Sequence, residues 1–202
     1  MGNIKTLLLD ADGVVQLSSP NWLDSVAQLC ADPDQAEEFV QDVFAAEAPS
    51  LIGQSNFSSD LEAVLQRWHS SASIADALAV WTLITPNQDV LTLIRELRQS
   101  GTVVALASNQ QAYRAEYMSH QLGYADQFDQ LFYSYELGCK KPRQEYFAAI
   151  LQKLNCEPHE VLFIDDHQAN VDAAQQVPIH AERYHLDMGV PHLKQILKQY
   201  GI

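Results

Sequence analysis

Positive charge is scarce in this 202-residue sequence, which has 12 Lys and Arg residues against 26 Asp and Glu residues. The formal net charge is therefore −14 at pH 7. Nucleic acids and anionic membranes select basic surfaces, so this balance argues against both as partners. With 47% hydrophobic residues, the chain has the composition of an ordinary folded protein.

Cysteines and long apolar runs are also few. Cys30, Cys139 and Cys156 are widely spaced and form neither a zinc pattern nor a disulfide framework, which suits a reducing compartment. No apolar run approaches the roughly 20 residues that a membrane helix needs. No apolar signal core stands apart from the run that begins at Leu7. We therefore expect a cytoplasmic protein.

Two carboxylates follow the first apolar run of the chain. Leu7 to Leu9 predicts a strand buried on both faces, and Asp10 and Asp12 come directly after it. Gly13 allows the chain to turn away behind the second acid. Two acids so close together repel each other, and a divalent metal ion is the simplest group that would neutralise them.

Residues 16–83 have helical patterns and no strand pattern. Helix starts are indicated by Ser19-Pro20, by Asp32-Pro33-Asp34-Gln35 and by the capping box Ser59-Asp60-Leu61-Glu62. A fourth helical segment runs through Ile74, Leu78 and Trp81. Trp22, Trp68 and Trp81 are interpreted as the apolar core of this module.

The rest of the chain, residues 1–15 and 84–202, alternates strand and helix patterns. This alternation predicts a parallel sheet with helices on both faces. The predicted fold class is α/β, with a doubly wound, Rossmann-like parallel sheet and a small all-helical module inserted after the first strand. Residues 1–15 and 84–202 would form the core domain, and residues 16–83 the inserted module.

Polar residues follow several of the predicted strands. They are Asp10 and Asp12, Ser108 and Asn109, Lys141, and Asp165 and Asp166. The carboxyl ends of parallel strands form the ligand crevice of a doubly wound sheet, so these residues are expected to converge there. Four carboxylates, one ammonium and one hydroxyl suit a crevice that holds a metal dication and a phosphoryl group.

The same residues carry a family resemblance. Asp10-Ala11-Asp12-Gly13-Val14, Ser108-Asn109, Lys141-Pro142 and Asp165-Asp166 resemble, in identity, order and spacing, the motifs of phosphatases of the haloacid dehalogenase-like superfamily. The resemblance covers nearly the whole chain, and the helical module matches the cap of that family. We call residues 16–83 the cap. Lys140 and Lys141 are adjacent, and Lys141 is assigned because the lysine of the family directly precedes proline.

The resemblance implies a Mg²⁺-dependent phosphatase that works through an aspartyl-phosphate. Asp10 would be the nucleophile, and Asp12 would alternate as general acid and general base. Asp10, Asp166 and the backbone carbonyl of Asp12 would bind the metal ion. Asp165 would belong to the metal shell, directly or through water.

The phosphoryl group would be held by other residues of the set. By the resemblance, Ser108 and the Asn109 amide, at a helix start, would bind phosphoryl oxygens. Lys141 would offset the charge between nucleophile and phosphoryl group. His167, although it follows the acidic pair, is interpreted as a surface residue. The implied partner is a small phosphorylated metabolite, and a monomer is compatible with the sequence, which leaves the oligomeric state open.

Three alternatives share this fold. A phosphomutase of the beta-phosphoglucomutase type uses the same core residues. A 2-haloacid dehalogenase needs no metal, but that branch replaces the second Asp of the first motif, and Asp12 is present. A catalytically silent binding protein is disfavoured because no catalytic position is missing. A related phosphonate-cleaving enzyme uses a cap lysine, and residues 16–83 contain no Lys.

The charge of the cap favours one class of substrate. Arg67 is the only Lys or Arg between residues 16 and 83, against ten acids. A second phosphate would want cationic partners there. We therefore expect a small monophosphate with a neutral polar body, such as a sugar phosphate, whose hydroxyls would meet Gln16, Ser18, Asn21 or the Gly53-Gln54-Ser55 loop.

Overall fold

The strand that carries Asp10 lies at the centre of the molecule. The computed structural model describes residues 4–202 and contains a five-stranded parallel sheet and a separate two-stranded antiparallel ribbon. The strands are β1 (Thr6–Leu9), β2 (Gln16–Ser18), β3 (Ile84–Pro86), β4 (Val103–Ser108), β5 (Gln130–Tyr133), β6 (Val161–Asp165) and β7 (His180–Arg183). The sheet order is β5-β4-β1-β6-β7, and β2 pairs with β3.

The register of the central strands explains why the polar residues meet. Leu9, the last residue of β1, pairs with Leu106 of β4 and with Ile164 of β6. Asp10 therefore follows β1 at the level where Asp165 ends β6. Ser108 ends β4 two residues beyond Leu106, the residue that pairs with Leu9. The predicted convergence at the carboxyl edge of the sheet is thus a consequence of parallel pairing.

Helices cover both faces of the parallel sheet, as the sequence predicted. The helices are α1 (Trp22–Ala27), α2 (Ala36–Ser50), α3 (Phe57–Arg67), α4 (Ile74–Val80), α5 (Gln88–Gln99), α6 (Ala112–Glu116), α7 (Tyr124–Gln127), α8 (Ser134–Leu137), α9 (Gln144–Leu154), α10 (Gln168–Gln176) and α11 (Val190–Gln199). Two buried clusters result. Leu7 and Leu9 of β1 face one cluster and Leu8 faces the other, because side chains alternate along a strand. Within residues 4–202, no helix is both long enough and apolar enough to cross a membrane.

Helices α1 to α4 pack around an apolar cluster of their own. Trp81 is buried at its centre, with Trp22 and Trp68 packed against the cluster, as expected for core residues. Helix α3 begins earlier than the capping box at Ser59 predicted. Its N-cap is Asn56, whose side chain accepts a hydrogen bond from the backbone N–H of Ser59. The short strands β2 and β3, which flank the cap helices, were not predicted, because three-residue strands carry too little alternation to recognise.

Besides the β2–β3 ribbon, the cap contacts the core through the segment that follows α2. The hydroxyl of Ser134 donates to the carbonyl oxygen of Leu51 in the cap. Gly53 has a φ of 71°, and a Cβ atom there would collide with the carbonyl oxygen of Tyr135 in the core. Only glycine therefore permits this close approach of the two backbones. The boundaries of the cap at residues 16 and 83 stay a prediction.

Candidate active site

Asp10 presents one carboxylate oxygen to the crevice and anchors the other. Its Oδ1 accepts hydrogen bonds from the Ala11 backbone N–H at 2.7 Å and from Lys141 Nζ at 2.8 Å. Among residues 4–202 no donor binds Oδ2, which leaves it available as a nucleophile or metal ligand. Burial raises the pKa of Asp10 to about 7, opposed by the charge of Lys141 and reinforced by that of Asp165. A further cation would favour the charged form that a nucleophile needs.

Lys141 joins the ends of β1 and β6. Its side chain is buried, with Nζ 2.8 Å from Asp10 Oδ1 and 2.7 Å from Asp165 Oδ2. Asn109 fixes the backbone of this lysine, because it accepts from the Lys141 N–H at 2.9 Å and donates to the Lys141 carbonyl at 3.0 Å. The Asn109 side chain therefore positions Lys141, a role that no short sequence motif indicates. These hydrogen bonds use the side chain of Asn109 and leave aside its backbone N–H, the group that the resemblance assigns to phosphate binding.

Asp165 is fully buried and saturated by protein donors. Its oxygens accept from Lys141 Nζ, from the His167 backbone N–H and, on both oxygens, from Asn170 Nδ2. Such a carboxylate orients Lys141 and leaves few lone pairs for a metal ion. Its membership of the metal shell stays a prediction, and this geometry favours a contact through water.

Asp166 lies against the loop that follows β1, which is possible because Gly13 has no side chain. A Cβ atom on Gly13 would lie 2.7 Å from Asp166 Oδ2, and the φ of Gly13 is 78°. Asp166 Oδ1 lies 2.6 Å from Nδ1 of His167, whose ring is exposed as predicted. The hydrogen bond to Asp166 raises the pKa of His167. Asp165, Asp166 and His167 offer ligand atoms within 4.8 Å of one another.

The residues present fit a magnesium ion. Three oxygens in the loops that follow β1 and β6 accept no hydrogen bond from residues 4–202, namely Oδ2 of Asp10, Oδ2 of Asp166 and the backbone carbonyl of Asp12. Carboxylate and carbonyl oxygens are the ligands that Mg²⁺ takes in proteins, usually with several waters. The space that the missing Cβ of Gly13 leaves beside Asp166 is consistent with such a site.

Asp12 is held by a largely buried arginine that the sequence did not reveal. Arg114 in α6 makes a bidentate pair with it, at 2.7 Å from Nη1 to Oδ2 and 2.8 Å from Nη2 to Oδ1. Gln16 and Gln110 also donate to the Asp12 carboxylate, both at 3.1 Å. Burial raises the pKa of Asp12, but the charge and hydrogen bonds of Arg114 outweigh it, so the net pKa lies below the ordinary value.

Arg114 also contacts the cap. Its Nε donates to the carbonyl oxygen of Trp81 at 3.0 Å, and its Nη2 lies 3.1 Å from Ser18 Oγ. Gln16, expected to meet substrate hydroxyls, is fully buried, with its carbonyl bound by the Tyr124 hydroxyl. The side chains of Gln16 and Ser18 are therefore engaged in hydrogen bonds with Asp12 and Arg114 respectively.

Ser108 and Asn109 lie at the carboxyl end of β4, beside the Asp10 loop. The Ser108 hydroxyl is buried and accepts a hydrogen bond from Gln110 Nε2 at 3.1 Å. Helix α6 begins at Ala112 with Gln111 as its N-cap. The helix therefore starts a few residues after Asn109, where the sequence predicted its start. The phosphate-binding role of both residues stays a prediction.

Comparison with known proteins identifies the family. The model of the haloacid dehalogenase-like hydrolases matches residues 4–177, so the chain belongs to this family of hydrolases. Among curated proteins, the sesquiterpene phosphatase astK of Aspergillus oryzae is 31% identical over 94 residues, which are 46% of this chain and 48% of that protein. The chain thus aligns with about half of this relative.

Solved structures share the fold over nearly the whole chain. The HAD family enzyme BT-2542 of Bacteroides thetaiotaomicron, solved as a magnesium complex, matches 95% of this chain and 98% of its own at a TM-score of 0.81 and 23% identity. L-2-haloacid dehalogenase of Xanthobacter autotrophicus matches 89% and 77% at a TM-score of 0.64 and 21% identity. These similarities confirm the predicted fold class.

Proposed function

We propose that the protein hydrolyses a small phosphomonoester through an aspartyl-phosphate on Asp10, with the help of magnesium. The observation that carries the proposal is the arrangement around Asp10, in which Lys141 binds Oδ1 and leaves Oδ2 free at the carboxyl edge of the sheet. The similarity to a sesquiterpene phosphatase supports phosphate-ester chemistry.

The reaction takes place in two steps on this chain's residues. Asp10 Oδ2 attacks phosphorus, the bond from phosphorus to the leaving oxygen breaks, and that oxygen takes a proton from Asp12. Asp12 carries this proton only when its ion pair with Arg114 opens, because the pair holds its pKa below the ordinary value. Water then attacks the phosphorus of the aspartyl-phosphate, Asp12 takes a proton from it, and the Asp10 carboxylate leaves. Lys141, Ser108 and the Asn109 amide hold the phosphoryl oxygens, so that catalysis is mainly positioning and electrostatic stabilisation.

Asp10, Asp166 and the Asp12 carbonyl would hold the magnesium ion. When bound, Mg²⁺ supplies positive charge that lowers the repulsion between the carboxylates and the phosphoryl group. Magnesium complexes of the structural neighbour BT-2542 support magnesium as the ion.

The cations of the cap and its rim support a monophosphate with a neutral body as the substrate. Arg67 pairs with Asp42 at 3.0 Å, and Arg114 is committed to Asp12 through both terminal nitrogens. Both guanidinium groups are thus paired with carboxylates, and a second phosphate, which the mutase alternative and nucleotide substrates would bring, would have to compete with them. The dehalogenase branch replaces the second Asp of the first motif, so the presence of Asp12 argues against the dehalogenase alternative.

A phosphate-release screen tests the proposal. Sugar monophosphates, bisphosphates and nucleotides are compared by kcat/KM, each with magnesium and after exhaustive chelation. We expect activity only with magnesium, and an Asp10→Asn variant slower by several orders of magnitude, as for other covalent nucleophiles (~10⁶ in one case). Undiminished activity after chelation, or near-normal turnover of the variant, would refute the mechanism. A preference of about tenfold or more for bisphosphates or nucleotides, roughly 1.4 kcal/mol, would refute the substrate class.

A further inference from the structure

A cavity lies between the cap and the core beside the candidate active site. Its volume is about 260 Å³, and its walls include Trp22, Glu47 and Trp81 from the cap and Asn109 and Arg114 from the core. Asn109 is one of the proposed phosphate-binding residues, and Arg114 holds Asp12. The cavity thus begins where a phosphoryl group would be bound and extends toward α2.

Glu47 is the one acid on these walls that protein donors leave half unsatisfied. Its Oε1 accepts a hydrogen bond from Trp81 Nε1 at 2.7 Å. Within residues 4–202 no donor binds its Oε2. Burial raises the pKa of Glu47, while the Trp81 N–H and the charge of Arg114 lower it to a smaller extent. The second oxygen of this half-buried carboxylate can therefore accept a hydrogen bond from a ligand in the cavity.

A second polar group lies beside Glu47 but does not reach the cavity. Gln111 is fully buried and is not among the residues that line the cavity walls. Its side chain lies close enough to Glu47 to lower the pKa of that carboxyl. Glu47 is therefore the acidic acceptor that the cavity offers, and a carboxylate acceptor suits a hydroxyl group, which donates.

The remaining walls limit what can enter. Trp22 and Trp81 pack edge to face with ring centroids 5.7 Å apart and form an apolar side. The volume lies just below the 300–1,000 Å³ typical of pockets for drug-sized ligands, so only a small group fits. The Glu47 carboxylate repels a second phosphate or a carboxylate.

We propose that Glu47 binds a hydroxyl of the leaving group and selects small hydroxylated phosphomonoesters over apolar or doubly charged ones. This inference rests on the proposed phosphatase function and assigns Glu47 and the cavity as its specificity site. Hydrogen bonds to a charged acceptor are the strong ones, so a substrate without the hydroxyl would leave the carboxylate unpaired and bind less well.

The test compares a hexose monophosphate, phenyl phosphate and a prenyl monophosphate on the full-length protein with magnesium. Glu47→Gln keeps the shape of the side chain and an acceptor for Trp81. We expect it to lower kcat/KM for the hexose monophosphate about tenfold or more beyond any loss for phenyl phosphate, mainly through KM, as for one lost hydrogen bond to a charged group. Glu38→Gln, an exposed change in the same helix, is the matched control and should not alter this ratio.

The outcomes separate the two levels of the proposal. Hydrolysis of phenyl phosphate with an unchanged hexose-to-phenyl ratio in Glu47→Gln would overturn the role of Glu47 and leave the phosphatase function intact. Preference of the unmodified protein for the prenyl monophosphate over the hexose monophosphate would overturn it as well. Failure to hydrolyse any of the three esters would refute the phosphatase function, and the inference with it.

Discussion

Replacing Lys141 by methionine should destabilise the fold severely, because this lysine is the buried counter-ion of two carboxylates. Lys141 is 2% exposed, and its Nζ lies within 2.8 Å of both Asp10 and Asp165. Methionine fills nearly the same volume but leaves the two buried acids without their cation. Breaking a buried ion pair by removing one partner costs about 3–5 kcal/mol. That is a large part of the roughly 5–15 kcal/mol that stabilises a typical protein.

The measurement is the free energy of unfolding in urea, at neutral pH and with chelator present. Far-UV circular dichroism is the suitable signal, since all three tryptophans lie in the cap and their fluorescence would report on that part. Lys140→Met is the matched control, because Lys140 forms no ion pair within 4.0 Å in residues 4–202 and is only half-buried. Its effect should stay within about 1 kcal/mol, as at a surface charge.

A second variant isolates the electrostatic cause. Adding Asp10→Asn to Lys141→Met removes one of the two stranded charges and should recover part of the lost stability. A loss in Lys141→Met no larger than in Lys140→Met would refute the reasoning that the crevice depends on this lysine for charge balance. An equal loss in the single and double variants would assign the effect to packing instead.

Two further predictions concern the neighbouring groups. Gly13→Ala should weaken magnesium binding by about tenfold or more and destabilise by about 1–3 kcal/mol, since its Cβ would lie 2.7 Å from Asp166 Oδ2 at a positive φ. Calorimetric titration checks this against Gly123→Ala, where φ is 72° and the nearest atom is 3.9 Å away; equal magnesium affinities would contradict the prediction. Arg114→Met should destabilise more at pH 7 than at pH 3. The pKa of Asp12 lies below its usual 3.8, so the ion pair contributes above that pH and is lost as the pH falls through the folded-state pKa. Urea unfolding at both pH values checks it, and an equal loss would contradict it.

The sequence predicted the parallel sheet and the crevice because both depend on local patterns. Buried parallel strands are read as continuous apolar runs, and the polar residues that follow them must meet at one edge once the strands pair in register. Six of the site residues end a strand or follow one within three residues, namely Asp10, Asp12, Ser108, Asn109, Asp165 and Asp166. Lys141 lies farther along, in the loop between α8 and α9. The magnesium ligands and catalytic roles remain predictions on this framework.

The residues that sequence reasoning missed act through contacts between distant segments. Arg114 lies on a short helix, 102 positions from Asp12, and in the sequence it resembles any solvent-facing arginine. In the sequence Glu47 is only one of ten cap acids, because its contact with Trp81 arises from the folding of the cap. The hydrogen bonds between Asn109 and Lys141 likewise span 32 positions. No periodicity or short motif encodes such pairs.

The most direct test of the central claim is to trap the covalent intermediate on Asp10. The protein with magnesium is mixed with a hydrolysed sugar monophosphate, quenched in acid and reduced with borohydride, which converts an aspartyl-phosphate to homoserine. Peptide mass spectrometry then locates the change. The account predicts homoserine at position 10, dependent on magnesium and substrate, and none in Asp10→Asn. Reduction at another residue, or steady phosphate release with no trapped residue, would contradict it.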